Sequence, residues 1–211
     1  MPVPTRQIVP LIAVGLTLLL MSAGCGSPPL SVSAEPISEV SSIPIADSFS
    51  YPVGDGSLLT AAKDKKDGWF NALDFGEQDH LGEDWNGNSG GNSDCGEPVY
   101  AAANGLITFA GDAGPGWGNV VIITHRLPDG SYIQTLYGHL KEIVRSKGDV
   151  KVREKIGSIG NANGRYLCHL HLELRESSSP MWNRSGPGYS NDKTGWLDPS
   201  DFIDARIASN P

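Results

Sequence analysis

The stretch Cys168-His169-Leu170-His171-Leu172-Glu173 sets two histidines one residue apart within a run that reads as a β-strand. Successive side chains on a strand point to opposite faces, so His169 and His171 share one face and Leu170 and Leu172 the other. An imidazole face backed by a leucine face presents chemistry on top of a packed core. The same pair also fits two surface histidines beside a strand, and the rest of the chain decides between the two.

Outward from this strand the texture is β throughout. The runs 99–102, 106–109, 120–124 and 132–137 are the clearest strands, and Leu127-Pro128-Asp129-Gly130 is the turn that joins the third to the fourth as a hairpin. Residues 147–150 and 156–160 continue the pattern, and only 59–63 and the region of 199–203 suggest a turn of helix. The 26 glycines and 15 prolines among 211 residues suit short strands with tight corners. The expected architecture is a single all-β domain over residues 49–205, followed by a tail over 206–211.

Hydrophobic residues at 39% and charged residues at 19% fit a globular protein. A formal charge of −8 argues against nucleic acid as a partner, since phosphate binding leans on Lys and Arg. The first 25 residues read as an export signal: Arg6 precedes the apolar run 11–20, and small residues follow at Ser22-Ala23-Gly24-Cys25. Ala23-Gly24-Cys25 resembles a lipobox with Ser22 in place of the usual leucine, so Cys25 is the expected site of a lipid that tethers the protein to a membrane. Plain secretion or a retained anchor are the alternatives. Residues 26–48, rich in Ser, Pro, Ala and Val, read as a flexible tether. With Cys25 lipidated, Cys95 and Cys168 remain as a pair in an oxidising compartment and are expected to form a disulfide, two separate buried thiols being the other reading.

Five histidines occur, at positions 80, 125, 139, 169 and 171. His80 and Asp84 lie four apart, a spacing that puts both on one side of a strand or a helix. One imidazole from the His169/His171 pair completes three N/O ligands, the set that suits one zinc ion with a position left for water. Zinc lowers the pKa of such a water towards 7. The absence of any CxxC pair argues against a structural zinc site built on several cysteines.

His80-x-x-x-Asp84, the 96–102 segment Gly-Glu-Pro-Val-Tyr-Ala-Ala, Gly116-x-Gly118 running on to His125, Tyr137-Gly138-His139-Leu140, Gly148-Asp149-Val150, the 156–160 segment Ile-Gly-Ser-Ile-Gly and His169-Leu170-His171 occur in one order. Together they resemble the lysostaphin-like (LytM-type) zinc metallopeptidases, over roughly residues 70–203 including Leu197-Asp198-Pro199. The resemblance implies a β domain of the duplicated hybrid-motif type, with antiparallel sheets and an active-site groove. It implies His80, Asp84 and His171 as zinc ligands. His139 and His169 are implied as the catalytic pair beside the reacting water, one as general base and the other orienting it or stabilising the oxyanion, the two roles not being assigned between them. His125 matches a structural histidine of the family and is left out of the site. Tyr137, two before His139, would share its strand face and is expected in the core or groove wall.

The implied activity is zinc-dependent endopeptidase cleavage of stem peptides or cross-bridges in bacterial peptidoglycan, by an exported, envelope-located and monomeric protein. A non-catalytic wall-binding protein or amidase activator on the same fold is the alternative, and a biotinyl- or lipoyl-type carrier is disfavoured because it leaves the HxH unexplained. Two stretches depart from the family pattern: a Gly/Asn/Ser-rich insertion over 85–95, and Arg165-Tyr166-Leu167-Cys168 where small residues or proline are usual. Cys95 and Cys168 stand at these two places, which strengthens the expected bond and leaves substrate preference open.

Overall fold

The glycine-punctuated apolar runs become short antiparallel strands in a computed structural model that describes residues 43–208, apart from 58, 61, 62, 64 and 65. In chain order these are β1 (Trp69–Leu73), β2 (Glu83–Gly87), β3 (Pro98–Tyr100), β4 (Gly105–Asp112), β5 (Asn119–Arg126) and β6 (Tyr132–Leu140). They continue as β7 (Glu142–Ile143), β8 (Gly148–Val150), β9 (Lys155–Ser158), β10 (Leu170–Glu176) and β11 (Trp196–Leu197), before the helix α1 (Pro199–Ala208). The main sheet has the order β1-β2-β10-β6-β5-β4-β8, and β11 pairs with the later half of β10. A second, three-stranded sheet has the order β3-β9-β7. Every strand pairing is antiparallel, and the expected all-β class is what the chain adopts.

Strand alternation builds the core. Leu170 and Leu172, the leucine face of the opening stretch, join Val121, Ile123 and Tyr137 of the main sheet and Val99 and Ile156 of the small one. Val120 and Ile122 point the other way and pack with Leu136. Residues 120–125 are therefore buried on both faces, which is why they read as a continuous apolar run rather than an alternating one. The expected turn at 127–130 closes the β5–β6 hairpin, with Gly130 N donating to Leu127 O at 2.9 Å.

The turn of helix expected near 199–203 extends through Ala208. Asp198 caps it, its Oδ1 accepting from Asp201 N at 3.0 Å, and Pro199 takes the first helical position, where a missing N–H costs nothing. Ile203 then docks in the main core.

The signal and lipobox readings fall on residues outside those described. Of the stretch read as tether, 43–48 is described, and its end is packed: Ile45 bridges Arg126, Ala46 is buried, and Ala46 N donates to Arg126 O at 2.8 Å. Among the described residues no helix is long and apolar enough to cross a membrane. Cys95 and Cys168 form the expected disulfide, with Cα atoms 5.3 Å apart. The insertion over 85–95 is thereby held against the start of β10. Asn92 adds a hydrogen bond there, its Oδ1 accepting from Cys168 N at 2.9 Å.

Candidate active site

The register of β2 against β10 sets Asp84 directly opposite His171. His80 arrives from the short 3-10 turn Glu77–Asp79 and makes an isolated bridge to Tyr189. His171 Nδ1 lies 3.0 Å from Asp84 Oδ1 and 3.0 Å from His80 Nε2, and His80 Nε2 lies 3.5 Å from Asp84 Oδ1. Ligand atoms about 2.0 Å from a tetrahedral zinc ion stand about 3.3 Å from one another, so this N/N/O set fits that ion. A second acidic trio, Asp74, Glu83 and Asp198, also comes together. There both Glu83 oxygens already accept hydrogen bonds, from Ser200 N at 3.1 Å and Trp85 Nε1 at 2.9 Å, in support of the fold.

Behind His171 stands Glu173, which sequence reading had not assigned to the site. Its Oε1 lies 3.1 Å from His171 Nε2, so Nε2 carries the proton and donates, leaving the Nδ1 lone pair facing Asp84 and His80. The other oxygen, Oε2, accepts from Arg175 Nε at 2.7 Å, from a second Arg175 nitrogen, and from Trp196 Nε1 at 2.8 Å. Glu173 and Arg175 are fully buried, so this carboxylate survives by being paired and hydrogen-bonded. The place where His80 and Asp84 meet β10 has no room for a side chain at Gly82: a Cβ there would lie 2.4 Å from Leu172 O.

His139 and His169 flank the trio. His139 Nδ1 lies 3.1 Å from Trp117 O and His169 Nδ1 lies 2.9 Å from Leu167 O. A carbonyl only accepts, so both Nδ1 atoms carry protons and both Nε2 atoms are left as bases. His169 Nε2 is 3.6 Å from Asp84 Oδ1, and the His139 and His169 ring centroids are 4.7 Å apart.

The expectation that Tyr137 and His139 share a face does not hold. The register between β5 and β6 shifts by one residue between the pairs Asn119↔Leu140 and Val121↔Tyr137, and His139 adopts a left-handed φ of 62°. This bulge re-aims His139 into the groove, while Tyr137 stays wholly in the core. Tyr137 Oη accepts from Ala102 N at 2.8 Å and lies 2.9 Å from Thr135 Oγ1. His125 is buried in the same network, with Nδ1 donating to Asn104 O at 2.8 Å, and stands apart from the groove as expected.

A cavity of about 290 Å³ opens on Asp84, His139, His169 and His171, with Trp117, Tyr166 and Tyr189 on its walls. The Trp117 ring stands edge-on to His171 at 5.1 Å and stacks on His139 at 6.0 Å. Gly138 makes this possible, because a Cβ there would come within 3.3 Å of both His171 Cβ and the Trp117 ring. Trp117 lies between two glycines of the family pattern and Tyr189 in a Gly/Ser-rich segment, so neither offered a periodic signal. Burial drives the His139 imidazole towards its neutral form, assisted by His171 and His169, and its pKa falls to about 3. Burial raises Asp84, but the surrounding imidazoles outweigh it and hold the carboxyl at about 2.

Residues 78–182 match the model of Peptidase family M23. The chain is similar to the DD-carboxypeptidase/endopeptidase Mpg of Neisseria meningitidis serogroup B, 40% identical over 86 residues that make up 41% of this chain and 19% of that one. It is similar to the murein hydrolase activator NlpD of Salmonella typhimurium, 32% identical over 80 residues, 38% of this chain and 20% of that one. The matching stretch thus spans about a fifth of either protein. The catalytic domain of lysostaphin from Staphylococcus simulans aligns with 26% identity and a TM-score of 0.43, covering 59% of this chain and 79% of that one. The matched segment contains His80, Asp84, His139, His169 and His171, and through it the chain belongs to peptidase family M23.

Proposed function

We propose that this protein is a zinc-dependent endopeptidase that hydrolyses peptide bonds in bacterial peptidoglycan. The observation that carries the reading is the convergence of His80 Nε2, Asp84 Oδ1 and His171 Nδ1 at one end of a cavity into which two further imidazoles present basic nitrogens. His80, Asp84 and His171 would hold the ion, whose Lewis acidity acts on a water and on the scissile carbonyl. One of His139 and His169 takes a proton from the attacking water at Nε2 and passes it to the departing amine as the C–N bond breaks and the new C–O bond forms. The other, whose Nε2 also carries a lone pair, accepts a hydrogen bond from the attacking water and orients it. Trp117 and Tyr166 form walls of the groove. The similarity to the murein hydrolase activator NlpD and to the carboxypeptidase/endopeptidase Mpg supports peptidoglycan as the substrate.

The activator role of the Salmonella relative supports a second reading, a non-catalytic activator of another murein hydrolase. The two separate in one experiment. Residues 26–211 are purified, bound metal is measured, and peptide release from purified peptidoglycan is followed with zinc, with chelator, and with a separate amidase added. Release that needs zinc and no amidase supports the enzyme. Release that appears only with the amidase supports the activator and overturns the first reading.

A further inference from the structure

The same groove continues past the reacting centre to a cation. Among the described residues lining the cavity, Arg165 is the one Lys or Arg, and a second cavity of about 460 Å³ begins on its other side, sharing Pro115 and Gly116 with the first. The Arg165 guanidinium is exposed, lies 5.9 Å from the Tyr166 ring centroid, and has no carboxylate of the described residues within ion-pair distance. Tyr166 in turn lies 5.0 Å from His139 and 5.9 Å from His169 between ring centroids. Arg165 is therefore one ring beyond the two histidines, a distance that about three residues of extended peptide would span at ~3.4 Å each.

The backbone that carries this cation is tied down by hydrogen bonds on both sides of Arg165. Tyr166 N donates to Asn161 O at 3.1 Å, and Gly164 N to Asn161 Oδ1 at 2.8 Å. His169 N donates to Gly160 O at 3.2 Å, and the disulfide at Cys168 ties the outgoing chain to the insertion over 85–95.

The geometry points to Arg165 as a specificity-determining residue that pairs with a free carboxylate of the substrate peptide within about three residues of the scissile bond. A planar guanidinium fork matches a carboxylate bidentately, and against a protein of net charge −8 it is the feature that would draw an acidic peptide into this groove. The substrate class is then an anionic stem peptide rather than an uncharged cross-bridge. This rests on the proposed hydrolytic reading for the reaction, but not for the recognition.

The test uses two synthetic cross-linked stem peptides, identical except that the carboxyls away from the scissile bond are free in one and amidated in the other. For the zinc-loaded wild type at low salt, kcat/KM for the free acid exceeds that for the amide by about five- to tenfold, and the ratio shrinks as salt is added. The ratio falls to about one in Arg165→Gln, drops below one in Arg165→Glu, and is largely kept in Arg165→Lys. A wild-type ratio near one, or an unchanged ratio in Arg165→Gln, overturns the proposal. If the wild type cleaves neither peptide with zinc present, the hydrolytic reading fails and the comparison moves to calorimetric binding of the same peptides. Equal wild-type affinity there overturns the role of Arg165, and an acid preference lost in Arg165→Gln upholds it.

Discussion

Glu173 Oε1 stands 3.1 Å from Nε2 of His171, so a buried carboxylate holds from behind the imidazole that turns its other nitrogen to Asp84 and His80. Such outer carboxylates fix the tautomer and strengthen the ligand. Glu173→Gln is expected to lower zinc affinity about 10–100-fold, as measured by competition with a chromophoric chelator. Unchanged affinity would remove Glu173 from the site.

Ligands and flanking histidines should separate by readout. His171→Ala removes one of the three proposed ligands and is expected to abolish stoichiometric zinc binding. His139→Ala and His169→Ala are expected to retain zinc while cleavage falls about 10²–10⁴-fold. Metal content by atomic emission and peptide release by chromatography check the two halves. Loss of zinc in either flanking variant would move that histidine into the ligand set.

The disulfide closes a span of 73 residues between the insertion and the start of β10. Loop entropy in the unfolded chain makes such a bond worth about 4 kcal/mol. Guanidinium unfolding of the Cys95→Ser/Cys168→Ser variant is expected to show a loss of that size against the oxidised wild type. Equal stabilities would show that the contacts of Asn92 and its neighbours hold the insertion unaided.

His125 gives the fold a pH limit. Its burial depresses the imidazole pKa to about 4, against about 6.5 in the unfolded chain, so only the unfolded state gains a proton as pH falls between them. Stability from this group is complete above pH ~6.5 and declines by about 3 kcal/mol by pH ~4. His125→Gln is expected to be less stable at pH 7 and to lose less stability than wild type between pH 7 and 4, by chemical denaturation of chelator-treated protein. Parallel pH curves would assign the decline to other groups.

Local periodicity determined much of this protein without tertiary information. The alternation from His169 to Glu173 placed imidazoles on one face and Leu170 and Leu172 in the core, and the apolar runs and the 127–130 turn located the central hairpin. The family pattern, read from the same residues, named Asp84, His139, His169 and His171, which line the cavity, and His80, which meets Asp84 and His171 at its buried end. What periodicity could not supply depends on pairing between distant strands. Asp84 faces His171 because of the β2–β10 register, and His139 leaves the face of Tyr137 because one extra residue in β6 bulges opposite β5. A bulge of that kind breaks the two-residue repeat on which strand reading rests. Likewise the nitrogen that His139, His169 and His171 each turn to the groove is set by a carbonyl or a carboxylate that the fold brings to the other side of the ring. The sequence determined which residues are on hand for the proposed chemistry, and the strand registers decided which atoms face one another.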